Sequence, residues 1–117
     1  MLHHIALSLL RGLTQPQCVD LLRNIDHPRA LFEDTAAALA TLDQLVPATR
    51  TQLLHLFAER GEEALCRAAD ELEFCRRHNI RPLALGTDDY PRRLAECPDA
   101  PAVVYYRGTA DLDARHV

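Results

Sequence analysis

The hydrophobic period of this 117-residue chain changes once, close to Asn79. Upstream, apolar residues recur at helical spacing, which places them on one face of a helix. Downstream, Ile80 to Gly108 reads IRPLALGTDDYPRRLAECPDAPAVVYYRG. That stretch holds two short runs of β type, Leu83-Ala84-Leu85 and Ala102 to Tyr106. Between them lie the turn-rich segments Asp88-Asp89-Tyr90-Pro91 and Pro98-Asp99-Ala100-Pro101. One switch of period restricts the chain to a mainly α fold: a helical domain over residues 1–79, then the first β elements of an incomplete α/β core over 80–117.

Within the helical part, Ile5, Leu9 and Leu13, flanked by Ala6 and Leu10, form the apolar face of a first helix broken at Gly12. Thr14 is placed to cap the next helix and Pro16 suits its first turn. Cys18, Val19, Leu21, Leu22 and Ile25 then repeat at helical spacing. Pro28 opens a short helix carrying Leu31 and Phe32, and Asp34 or Thr35 caps a fourth with Leu39, Leu42 and Leu45 or Val46 inward. Pro47 is expected to end that helix, because a mid-helix proline loses a hydrogen bond and clashes with the preceding turn. A fifth helix is expected over 48–60, with Leu53, Leu54 and Phe57 inward and Gly61 as its C′ residue. A sixth follows over 62–78, with Leu65, Ala68, Ala69, Leu72 and Cys75 on one face and the pairs Glu63–Arg67 and Glu73–Arg77 on its wet side. Asn79 tolerates the left-handed turn at its end.

Composition narrows the function classes. At 48% hydrophobic and 26% charged, the chain has globular values, and with three Phe, three Tyr and no Trp its core is built from Leu and Ala. No apolar run approaches the roughly 20 residues of a membrane span. The apolar N-terminus has no basic n-region and carries Arg11, which rejects a signal peptide and makes the expected address cytoplasmic. All 13 basic residues are Arg, and the net charge is −4. Neither half is basic, which argues against strong nonspecific nucleic-acid binding while leaving room for a local phosphate contact. Cys18, Cys66, Cys75 and Cys97 are scattered without a C-x-x-C pair, so they read as free thiols, Cys18 and Cys75 on buried stripes, and no metal is expected. The six His form no metal-binding pattern. No Ser/His/Asp set, P-loop or G-x-G-x-x-G occurs, so neither catalytic residues nor a cofactor are expected.

Two segments are candidate phosphate contacts. Leu9-Leu10-Arg11-Gly12-Leu13-Thr14 lies between two amphipathic helices and resembles a helix-hairpin-helix motif, whose hairpin reads Gly-apolar-Gly and directs backbone N–H groups at a phosphate. Here Thr14 stands in place of the second glycine, and a plain helix-turn-helix packing unit is the alternative. Val46-Pro47-Ala48-Thr49-Arg50 is either a second, degenerate hairpin with Arg50 facing outward or a solvated loop. Asp88-Asp89 reads as a turn before a helix N-terminus, where negative charge is favourable.

The stretch after Asn79 is also a composite pattern. An Ile-x-Pro-Leu-x-Leu run is followed by Asp-x-Tyr-Pro-x-x-Leu and then by Asp-x-Pro-x-Val-x-Tyr-x-Arg-Gly. Leu83, Leu85, Asp89, Tyr90, Pro91, Leu94, Asp99, Pro101, Val103, Tyr105, Arg107 and Gly108 carry it. Together they resemble the bacterial DNA-processing protein A family (DprA, or Smf). The helical half fits as well, since many members carry a SAM-like or helix-hairpin-helix-like domain before the core. The resemblance implies a Rossmann-like core that binds single-stranded DNA, loads a RecA-type recombinase during natural transformation, forms homodimers and performs no known catalysis. It places the family's Gly-Ser/Thr-Arg phosphate loop after a strand beginning around Arg115-His116-Val117, so most of the DNA-contacting surface is expected beyond Val117. A stand-alone helical module that docks a protein partner is the alternative.

Overall fold

A computed structural model describes residues 1–107. Gly108 and the strand expected around Arg115 to Val117 lie outside the described residues. The chain is mainly helical, with a small two-stranded antiparallel sheet. Its elements in order are α1 (Leu2–Leu9), α2 (Gln15–Asn24), α3 (Arg29–Glu33), α4 (Thr35–Ala40), α5 (Pro47–Arg77), β1 (Ile80–Ala84), α6 (Arg92–Ala95) and β2 (Val103–Arg107).

The organising element is α5, a single helix of 31 residues where two were expected from sequence. At 1.5 Å per residue it runs about 46 Å, and it sets the 44 Å long axis of the molecule. Its buried residues Leu53, Phe57, Gly61, Ala64, Ala68 and Cys75 form one stripe at helical spacing. Gly61 therefore does not end a helix. It sits in mid-stripe beside the Phe32 ring, and Phe32 meets Phe57 edge-on at 5.1 Å between ring centres. Packing overrides a local stop signal here, since glycine inside a helix costs only about 1 kcal/mol.

Pro47 likewise opens α5 instead of ending α4. Its fixed φ and missing N–H suit a first helical position. The α4 helix stops earlier, at Ala40, and Leu42 and Leu45 continue as turns closed by Leu42 N–H to Leu39 O and Leu45 N–H to Leu42 O. Asp34 occupies the N-cap of α4 but makes no side-chain capping bond, and the Thr35 hydroxyl donates back to Leu31 O at 2.6 Å. At α2 the expected Thr14 cap and Pro16 first turn are present, and Gln17, not anticipated from sequence, completes a reciprocal capping box with Thr14. Asn79 adopts φ 57° at the end of α5, the left-handed turn that switches the chain to extended.

β1 and β2 pair antiparallel, Ile80 opposite Arg107 through Ala84 opposite Val103. The helical part and the segment after Asn79 share one hydrophobic cluster, in which Leu83, Leu85, Tyr90 and Ala102 join Ile5, Leu22, Leu31 and Leu53. Val103, Val104 and Tyr106 also pack on that cluster, so residues from both faces of β2 are partly covered. No helix among the described residues is long and apolar enough to cross a membrane.

Candidate nucleic-acid interface

The hairpin between α1 and α2 turns on Gly12, at φ 92°. The backbone conformation favours glycine, and a Cβ there would lie 2.6 Å from Leu56 Cδ2 and displace the tip of that side chain. This turn brings Arg11 across to α5, where its Nε lies 3.1 Å from Glu63 Oε1 in an exposed ion pair. Glu63 thus pairs with Arg11 and not with the expected Arg67, whereas Glu73 takes both Arg76 at 2.7 Å and Arg77 at 3.2 Å.

A phosphate at this hairpin would need free N–H groups at the start of α2, and most are occupied. Leu13 N–H donates to Leu10 O, Thr14 N–H to Gln17 Oε1 at 3.1 Å, and Gln17 N–H to Thr14 Oγ1 at 3.2 Å. Pro16 has no N–H to offer. The Gln15 N–H at the start of α2, and the Arg11 and Gly12 N–H groups in the turn before it, make no backbone hydrogen bond among the described residues. The Thr14 that replaces the motif's second glycine has extended backbone at φ −74°, and it closes the helix end on itself.

Arg50 does not face outward as the degenerate-hairpin reading requires. It is half-buried, with Nη2 3.2 Å from Leu42 O and a buried Nε that has no hydrogen-bond partner. The guanidinium donates to the Leu42 carbonyl at the turn after α4, which also accepts from Leu45 N–H. Arg50 and Glu63 are also 13 residues apart on α5, which separates the two candidate contacts by about 20 Å along the helix. Between α2 and the α4–α5 connection lies a cleft of about 370 Å³ bearing the Asp20 and Asp43 carboxylates, with no basic residue in its lining. Its charge is wrong for a phosphate.

The residues of the composite pattern are brought together more closely. Asp88 and Asp89 lie in a turn, with Asp89 3.7 Å from Arg81 Nη2, and Pro91 is the N-cap of the short α6. Tyr90 is 2% exposed, and its hydroxyl donates to Pro101 O at 2.7 Å. Burial raises the Tyr90 pKa, so the phenol stays protonated and able to donate. That bond ties the Tyr-Pro turn to the Asp99-Ala100-Pro101 approach to β2. Leu94 packs on the core, and Val103, Tyr105 and Arg107 lie on β2.

Arg23 is a further contact that sequence reasoning missed. Its Nη2 reaches Ala95 O at 3.0 Å and Cys97 O at 3.3 Å, joining α2 to the end of α6. Nothing local in the sequence signals a bond that spans 72 residues. Burial pushes the Cys18 thiol up to about 12 and raises that of Cys75, so both are protonated core groups. Among the described residues no three His, Cys, Asp or Glu side chains are grouped to hold a metal. The chain matches no protein-family model, no curated protein and no solved structure at a significant level.

Proposed function

We propose that this chain carries the N-terminal part of a DprA-like, single-stranded-DNA-binding protein of the cytoplasm that assists a RecA-type recombinase in DNA processing. The helical residues act as a SAM-like accessory module, and β1, α6 and β2 act as the entrance to a Rossmann-like core. The observation behind this reading is the 2.7 Å bond from the Tyr90 hydroxyl to Pro101 O, which connects the two separated halves of the composite pattern. Tyr90 and Pro101, which resemble a family motif only in their order, thus share one structural task, bracing the connection between the two strands.

In this reading the helical module contributes little DNA affinity of its own. The whole chain has a net charge of −4, the start of α2 is closed by the Thr14–Gln17 capping box, and Arg11 is paired with Glu63. Those same features favour the second reading, in which the module docks a protein. Fluorescence anisotropy with a labelled oligonucleotide at moderate salt tests the main proposal. The full-length gene product is expected to bind and to speed recombinase loading, while the 117-residue chain binds weakly or not at all. A full-length product without affinity for single-stranded DNA refutes it. Arg11→Glu with Arg50→Glu in the full-length product separates the readings: unchanged DNA affinity assigns the helical module to protein docking.

A further inference from the structure

Residues 86–101, which connect β1 to β2, are held differently from the rest of the fold. Their base is closed by Leu85 N–H donating to Ala102 O at 2.9 Å, one step beyond the last pair of the ladder. Above that bond the chain depends on itself. The backbone N–H groups of Thr87, Tyr90, Ala95, Glu96, Cys97 and Ala100 each reach back three or four residues, within the same stretch or to Ala84. Tyr90, Pro91 and Ala100 are buried, while α6 has no buried residue. A segment with few buried side chains and local backbone bonds opens at a lower free energy than the core it lies on.

Two side chains fasten this stretch. The Tyr90 hydroxyl donates across it to Pro101 O at 2.7 Å. From outside, Arg23 of α2 donates through Nη2 to Ala95 O at 3.0 Å and to Cys97 O at 3.3 Å, where α6 ends. A guanidinium is a strong donor to the carbonyls that a helix leaves over at its end. Arg23 follows Leu21 and Leu22, both buried, so its backbone is anchored in the core while its side chain lies on the surface.

We propose that residues 86–101 form a strap that opens as one unit while the helices stay folded, and that Arg23 is the clasp through which α2 sets how often it opens. The two ends stay fixed, because the Leu85–Ala102 bond and the β1–β2 ladder lie outside the strap. Opening withdraws Tyr90, Pro91 and Ala100 from the core and frees Ala95 O and Cys97 O. Whatever takes the Arg23 guanidinium from those carbonyls therefore loosens the approach to β2. The device holds under either reading of the function.

Native-state amide exchange of the 117-residue chain, followed by NMR in low urea, tests both parts. Tyr90, Ala95, Cys97 and Ala100 have hydrogen-bonded amides and should share one protection factor, at least about tenfold below that of Ala64 and Ala68 in α5. Protection in α5 should fall as urea is raised, because global unfolding exposes much surface, while that of the four strap amides should hardly change. Arg23→Met keeps the apolar stem and removes the donors, so it should lower protection of the four by about fivefold to tenfold. Arg23→Lys, which returns a charged donor, should lower it less, and it provides a second measurement of the clasp where Arg23→Met misfolds. The proposal falls if the four amides are unprotected in the wild type, if each has its own protection factor, or if they respond to urea as α5 does. It falls equally if both Arg23 variants leave their protection unchanged.

Discussion

Replacing Gly61 by alanine should stabilise the protein, and the sign of the effect tests how α5 is built. Gly61 is a buried interior residue of a continuous helix with an unstrained φ. Alanine in a helix interior is favoured over glycine by about 1 kcal/mol. The added methyl would lie 3.6 Å from Phe32 Cδ1 and 4.0 Å from Cε1, ordinary van der Waals contact with no overlap. It would also cover some apolar surface, adding a few tenths of a kcal/mol. The sum is about 1–1.5 kcal/mol. For a domain of this size the melting temperature should rise by about 4–6 °C. Thermal unfolding followed by far-UV circular dichroism measures the shift, and urea unfolding provides an independent midpoint. If residues 48–60 and 62–78 were separate helices, Gly61 would be a left-handed C′ residue and the added Cβ would cost about 1 kcal/mol. A lowered melting temperature for Gly61→Ala would therefore refute the single helix.

Gly12→Ala should do the opposite, because φ 92° strains any residue with a Cβ and that Cβ would push aside the Leu56 methyl 2.6 Å away; a loss of about 1–3 kcal/mol in urea unfolding is expected, and no loss would contradict the hairpin geometry. Tyr90→Phe removes the donor to Pro101 O from a buried ring and should cost about 1–2 kcal/mol, measured the same way, with the helical signal unchanged. Acid should weaken the fold through His4, whose pKa burial holds below 6.5. The folded state disfavours the imidazolium, so His4 sets no penalty above pH 6.5, and stability falls as pH drops from 6.5 through the lower folded value. In a pH series of urea midpoints, His4→Gln should flatten that decline; an unchanged slope would assign it to other groups.

What could be read from the sequence was what is decided over short distances. The Thr14-Pro16 start of α2, the left-handed Asn79 and the helix start after Asp88-Asp89 each follow from the conformational preference or hydrogen-bonding reach of residues a few positions apart. The burial of Cys18 and Cys75 followed from helical periodicity, for the same reason. Strand positions were read to within a residue or a few, since hydrophobic period marks an element better than its ends. The candidate phosphate contacts show the limit. Arg11 and Arg50 have the right chemistry, but their partners, Glu63 and Leu42 O, were chosen by how α5 packs.

Tertiary structure alone decided whether Gly61 and Pro47 end helices or lie within and at the start of one. A glycine or proline signal is worth about 1–3 kcal/mol, which a buried stripe from Leu53 to Cys75 can outweigh or use. It also decided the bonds from Arg23 to Ala95 and Cys97 and from Tyr90 to Pro101, which depend on segments meeting in space. The sequence determined where the chain changes from helix to strand, because that change is written in local period. Packing determined which distant groups meet, Arg11 with Glu63 and Arg23 with Ala95 and Cys97, because a contact between residues far apart in the chain leaves no local trace.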